Sequence, residues 1–359
     1  MQEERQVQGT NAIRPVPVTL VTGFLGSGKT TLLKRILEQR RDVPIAVIEN
    51  EFGDAGIDDR LLRESPNAEI VALRNGCVCC TVRADLINAL VALHKKRNSR
   101  TLHFERVIIE TTGLAGVVEL AHALVRDEAI AAHYRLDAIV TMVDARHGQR
   151  QLDDFPEAQE QIAIADRILI SKTDLVSEDE ESRLLRRIAS LNARAPVARA
   201  HFGETPAADI LDIRAFDTTA AFAVEARDHV QQGHAERIGS FAFRTSRSFN
   251  ATCLDAFLSA MIDLYGPDML RYKGVLHLDG HPEQVILQGV QTVLRVEMGA
   301  AWPPKDARRS VLVFIGRDLP KDVFLRALER CLQEPSATLD CAPQRAYSNL
   351  ARERGRACA

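Results

Sequence analysis

The chain of 359 residues is 46% hydrophobic and 26% charged, with a formal net charge of −3. That is the balance of a soluble globular protein, and the length suits two domains. The near-neutral charge gives no basis for nucleic acid or an anionic membrane as a partner, and no apolar run approaches the roughly 20 residues that cross a bilayer.

The opening MQEERQVQGTNAIRPVP is polar and has no apolar h-region, so residues 1–15 read as a flexible lead-in rather than a secretory signal, and a cytoplasmic location is expected. PVTLVTG reads as a buried strand, followed by a Gly-rich loop and the helix TTLLKRILEQR. PIAVIEN and EIVALRN are further apolar strands, and TVRADLINALVALHKKR is an amphipathic helix. RVIIETTG, DAIVTMVDA and RILISKTD are short Ile- and Val-rich strands separated by helical patterns. Strands alternating with helices imply a mostly parallel, doubly wound α/β sheet covered on both faces, here over 16–215.

The pattern then changes. Residues 216–237 show no clear period and read as a linker. IGSFAFRTS alternates like a strand, and NATCLDAFLSAMIDLYG is an amphipathic helix with Asn250 as its cap. MLRYKGVLHLDG, EQVILQGVQTVLRVEMG and SVLVFIGRD read as three strands and KDVFLRALERCLQ as a helix, giving a second, smaller α+β domain over 238–340 with a largely antiparallel sheet. Residues 341–359 read as a flexible basic tail.

Gly23 to Thr30 spell GFLGSGKT, the G-x-x-x-x-G-K-S/T loop of P-loop NTPases, after a strand and before a helix as that loop requires. Gly23, Gly26, Ser27 and Gly28 can curl their backbone around phosphates. Lys29 can reach the β- and γ-phosphates, Thr30 can ligate Mg²⁺, and Thr31 follows as part of the same phosphate site. In RVIIETTG the strand-end acid Glu110 is placed to hold Mg²⁺ and Gly113 to offer its N–H to the γ-phosphate; the alternative for Glu110 is an ordinary strand-end acid. SKTD, Ser171 to Asp174, resembles the guanine motif of GTPases. Asp174 would accept from guanine N1–H and the 2-amino group, and Lys172 would pack its stem over the base. The alternative is that Asp174 merely caps the next helix.

There are seven cysteines, three of them in NGCVCC, Asn75 to Cys80. In a reducing compartment that clustering suits metal or redox chemistry better than a disulfide framework. The i, i+3 spacing brings Cys77 and Cys80 to one side of a turn, and Cys79 can join them. Three thiolates select a thiophilic ion such as Zn²⁺ and leave a tetrahedral site one ligand short, which suits transfer. A redox C-x-x-C pair and inert buried thiols are the alternatives. ENEFGDAGID, Glu49 to Asp58, follows a strand; Glu49, Glu51 and Asp54 are placed to complete the metal shell or reach Mg²⁺, or else form a solvated acidic loop. Cys253 and Cys331 fall in apolar helical patterns and read as small core residues.

In this order, GFLGSGKTTLL, ENEFGDAGID, NGCVCC, ETTGLA and SKTD resemble the CobW-type family of P-loop GTPases, relatives of the nickel chaperones for urease and hydrogenase maturation. FAFRTS, RYKGVLHLDGHPE and VLVFIGRDL resemble that family's C-terminal domain. The resemblance implies a metallochaperone or insertase that hydrolyses GTP slowly with Mg²⁺, with Lys29, Thr30 and Glu110 as the catalytic set. It implies Zn²⁺ or Co²⁺ on Cys77, Cys79 and Cys80, Glu49 and Asp54 as metal-associated acids, and transfer to a client metalloprotein; a homodimer stays open. Three departures stand out. The family's His-rich stretch is reduced to scattered histidines such as His229 and His234. Gly116-Val117 replaces the usual Asp-Pro after ETTGLA. Ser171 replaces the commoner Asn and is expected to remove one amide that braces the phosphate loop. The competing readings are a GTPase switch with a structural zinc site, a nucleotide-regulated thiol redox protein, and a P-loop kinase.

Overall fold

The computed structural model describes residues 15–51, 68–74, 81–114, 116–200, 205–207, 210–213, 238–302 and 308–332, with the backbone alone for 50–51, 68–74 and 81–83. Seven strands form the first sheet: β1 (Val16–Gly23), β2 (Ile45–Glu51), β3 (Ala68–Arg74), β4 (Arg106–Glu110), β5 (Tyr134–Asp144), β6 (Arg167–Ser171) and β7 (Val197–Ala200). Their order is β3-β2-β4-β1-β5-β6-β7, and every pair is parallel. Near-continuous Val, Ile and Leu runs suit such strands because helices cover both faces.

On one face, Leu33 and Ile36 of α1 (Lys29–Gln39) pack with Val21, Val47, Ile108 and Leu169. On the other, Leu20, Ile48, Ile109, Ile139 and Ile168 meet side chains of α2 (Thr81–Asn98), α3 (Val117–Arg126), α6 (Pro156–Ala163) and α7 (Glu178–Leu191). Two short helices, α4 (Glu128–Ala131) and α5 (Gly148–Asp154), complete the first unit. Because the strands are parallel, the segments after β1, β4 and β6 all leave from one edge of the sheet. Among the described residues, no helix is long and apolar enough to cross a membrane.

The second sheet comprises β8 (Ile238–Thr245), β9 (Arg271–Leu276), β10 (Glu283–Val290), β11 (Val293–Ala301) and β12 (Ser310–Arg317). Its order is β11-β10-β9-β12-β8 and all pairs are antiparallel. The continuous strand expected over EQVILQGVQTVLRVEMG is in fact a hairpin. Val290 pairs with Val293 across a two-residue turn, and Gln291 there has φ 50°. The alternation runs through this turn without the Asn-Gly or Asp-Gly that usually marks one. β7 lacked a strand signal in the sequence because as an edge strand it buries little.

Helices α8 (Ala251–Tyr265) and α9 (Lys321–Arg330) cover one face of this sheet with a core around Phe249, Phe257, Phe314 and Phe324. Asn250 caps α8 as expected, accepting from the Cys253 N–H. The opposite face turns toward the first unit, where Ile238, Leu270, Val290, Val313 and Ile315 share its hydrophobic core.

One buried carboxylate fixes that seam. Asp166, beside the start of β6, accepts from Arg271 Nη2 and Lys273 Nζ, each at 2.6 Å, and from the Ile139 N–H at 2.9 Å. Arg271 also donates to the Ile164 carbonyl, and Arg317 pairs with Glu160. Asp166→Ala leaves the buried Arg271 guanidinium without its carboxylate, so unfolding free energy should fall by about 3–5 kcal/mol. Urea titration checks this; a loss below about 1 kcal/mol would mean that solvent screens the pair.

Candidate nucleotide and metal site

The phosphate loop begins where β1 runs out. Gly23 has φ 140°, and a Cβ there would lie 2.2 Å from the Met142 carbonyl oxygen, so only glycine fits. Gly26 and Gly28 also have positive φ, the kind of backbone turn on which an anion nest is built, and the Ser27 N–H donates to the Phe24 carbonyl at 3.2 Å. Lys29 folds back over this loop and donates to the carbonyls of Gly23 at 2.8 Å and Phe24 at 3.2 Å. The Ser27 hydroxyl is buried and has no hydrogen-bond partner among the described residues, the condition of a group built to meet a ligand.

Glu110 ends β4, next to β1, and its Oε1 accepts from the Thr30 hydroxyl at 2.9 Å. A hydroxyl and a carboxylate at this distance form an oxygen set that fits a hard cation such as Mg²⁺. The Thr111 hydroxyl donates to that of Thr22 at 2.8 Å, tying the ends of β1 and β4 together. Gly113 abuts the loop itself. A Cβ there would lie 2.4 Å from the Leu25 nitrogen, and the Gly113 carbonyl accepts from Gln161 Nε2 at 3.0 Å.

SKTD closes the other side. Ser171 donates its hydroxyl to the Ser27 carbonyl at 2.8 Å, which corrects the expectation that replacing Asn removes the brace: a shorter donor makes it. Lys172, at φ 58°, donates to the Gly26 carbonyl at 2.8 Å and pairs with buried Asp144 at 2.7 Å. Asp144 Oδ1 in turn accepts from the N–H groups of Arg146 and His147. Asp174 sits exposed in a 3₁₀ turn, Thr173–Leu175. It does not cap α7, because Ser177 and Glu180 form a capping box there. Gly26, Ser27, Gly28, Thr31, Ser171 and Lys172 line one open cleft.

Glu49 is buried near the end of β2, directly in register with Glu110 on β4. In that pairing both carboxylates project to the face that α1 covers, since Val47 and Ile108, two residues earlier, pack on α1. Cys77, Cys79, Cys80 and Asp54 lie outside the described residues, as do His229 and His234. The elements flanking the cysteines are described: β3 ends at Arg74 beside β2, and α2 starts at Thr81. Among the described residues, no group of three or more His, Cys, Asp or Glu side chains is arranged to hold a metal ion.

The family model for the CobW/HypB/UreG nucleotide-binding domain matches residues 17–199, and that for the cobalamin synthesis protein CobW C-terminal domain matches 238–332. The chain belongs to the CobW/HypB/UreG family. A zinc chaperone from Escherichia coli, YjiA, is 34% identical over 86% of this chain and 96% of its own. The zinc chaperone CobW from Pseudomonas aeruginosa is 30% identical over 88% and 92%. A zinc-regulated GTPase metalloprotein activator from Schizosaccharomyces pombe is 37% identical over 58% of this chain and 52% of its own. The crystal structure of Zn(II)-bound YjiA superposes with a TM-score of 0.73 at 29% identity, over 89% of this chain and the whole of that one.

Sequence reasoning missed Asp144 and Gln161. Asp144 carried the same strand-end acid signal as Glu110, and it stabilises the lysine of SKTD. Gln161 gave no signal, because its partner Gly113 is 48 residues away. Ser171→Ala should weaken binding of a non-hydrolysable guanine nucleotide about 5- to 10-fold, the worth of one buried hydrogen bond of about 1–1.5 kcal/mol. Isothermal titration checks this; an unchanged Kd would show that the brace has no part in nucleotide binding.

Proposed function

We propose that this CobW/HypB/UreG family member is a GTPase that carries zinc and delivers it to a client metalloprotein, the bound nucleotide setting how tightly the zinc is held. The observation that carries the reading is the register of Glu49 with Glu110, whose carboxylate accepts from Thr30 at 2.9 Å. One strand pair thereby joins the nucleotide-side oxygens to the strand that leads into the acidic loop. The next strand outward, β3, leads to Cys77, Cys79 and Cys80.

GTP docks with its phosphates in the nest of Gly23, Gly26, Ser27 and Gly28, with Thr31 at the helix start. Lys29 turns from the loop carbonyls to the β- and γ-phosphates, and Gly113 lies beside the γ-phosphate. Asp174 accepts from the guanine N1–H and 2-amino group, and Lys172 holds the reading loop against the phosphate loop. Thr30 and Glu110 hold Mg²⁺, which when bound neutralises phosphate charge. Water attacks the γ-phosphorus and GDP leaves with inorganic phosphate. Intrinsic turnover is expected to be slow.

Zinc, the cargo, is bound by Cys77, Cys79 and Cys80 with Glu49 or Asp54 completing the shell, and thiolate ligands suit zinc over Mg²⁺. The names of the YjiA and CobW relatives support zinc as the metal, with Co²⁺ the alternative that the same ligands admit. The name of the fission yeast relative supports a metalloprotein client.

The reading requires different zinc affinities in two nucleotide states. Competition titrations with a chelating dye should give affinities about 5- to 150-fold apart with a non-hydrolysable GTP analogue and with GDP. Equal affinities would remove the basis for gated delivery. A YjiA variant with a glutamate and two cysteines replaced by alanine is also described as Zn(II)-bound, so the titration must resolve the tightest site rather than total zinc.

Base recognition has its own check. Asp174→Asn swaps a double acceptor for an amide, so GTP affinity should fall about 100-fold or more while xanthosine triphosphate gains. Retained GTP preference would take Asp174 out of the site.

A further inference from the structure

Two thiols that the nucleotide and zinc chemistry leaves aside face each other in the C-terminal unit. Cys253 lies in the first turn of α8, its N–H held by the cap Asn250 at 2.9 Å. Cys331 directly follows α9 and is buried. The backbones around them are locked together. Asn250 donates its N–H to the Cys331 carbonyl at 2.8 Å, and Phe249 pairs with Leu332 in an antiparallel bridge. Both cysteines are free thiols, and their Sγ atoms stand 2.7 Å apart.

A disulfide brings the sulfurs to about 2.05 Å, so a small movement lets this pair bond. No other metal-ligating group joins it among the described residues.

We propose that Cys253 and Cys331 form a reversible disulfide, closed by exchange with a low-molecular-weight disulfide such as oxidised glutathione. Cys253 is partly exposed and meets the reagent. It loses its proton to water, and its sulfur attacks one glutathione sulfur, breaking the glutathione S–S bond and releasing one thiolate. Cys331 then passes its proton to that thiolate and attacks Cys253 Sγ, breaking the mixed disulfide and releasing the second glutathione. Two cysteine thiols lose two electrons in all, and one external disulfide becomes two thiols.

Burial and the adjoining Cys253 sulfur push the Cys331 thiol up to about 12, so the more exposed Cys253 is the first to react. Closure ties the start of α8 to the end of α9 and encloses β9, β10, β11 and β12 in one covalent loop. A cross-link over so long a segment restricts the unfolded chain and stiffens the unit. The inference stands apart from the zinc reading, since it uses neither Cys77, Cys79, Cys80 nor the nucleotide.

The test uses the full zinc-loaded chain, equilibrated in glutathione buffers from reduced to oxidised, alkylated and mapped by peptide mass spectrometry. A linked Cys253–Cys331 peptide should appear at the oxidised end and vanish with dithiothreitol. It should form equally in a Cys77→Ser, Cys79→Ser, Cys80→Ser chain. In Cys331→Ser, Cys253 should stop at the mixed glutathione disulfide. The proposal is overturned if both thiols alkylate in every buffer, if Cys253 stops at the mixed disulfide in the unsubstituted chain, or if either links only to Cys341 or Cys358. The mapping on the unsubstituted chain decides the matter even where a variant misfolds.

Discussion

Everything at the nucleotide edge depends on how the loop from Gly23 to Gly28 disposes of its carbonyl groups. Such a loop binds phosphate only when its N–H groups face inward, which requires its carbonyls to be satisfied elsewhere. Lys172 engages that of Gly26 and Ser171 that of Ser27. Both donors come from the end of a strand more than 140 residues away. The phosphate loop and the SKTD segment are therefore one hydrogen-bonded body, anchored at its far side by the buried carboxylate of Asp144.

Parallel pairing then sets what lies beside this body. Because β1, β4 and β2 are adjacent, Glu110 stands in hydrogen-bond contact with Thr30 and in register with Glu49 across the sheet edge.

The sequence made the sheet readable because period and composition agreed: Ile- and Val-rich runs, each ending in a Gly, an acid or SKTD. The phosphate loop was readable because its chemistry allows few alternatives. What stayed hidden was of another kind. The brace from Ser171 could not be inferred from the residue type, since a hydroxyl reaches the Ser27 carbonyl only at the separation the fold provides. The hairpin at Gln291 was hidden because a non-glycine residue takes the left-handed turn. The seam at Asp166, Arg271 and Lys273 joins residues more than 100 positions apart, and no local pattern encodes that.

That seam also bears on how the chain is made. The last strand of the first sheet ends at Ala200, yet part of that unit's apolar surface is covered only when β8 through β12 arrive, and Ile315 follows Ala200 by 115 residues. At ribosomal rates of about 5–20 residues per second, this leaves on the order of ten seconds in which greasy helix faces and a lone Asp166 meet water. Until then the first unit carries apolar surface that only its later-made neighbour covers.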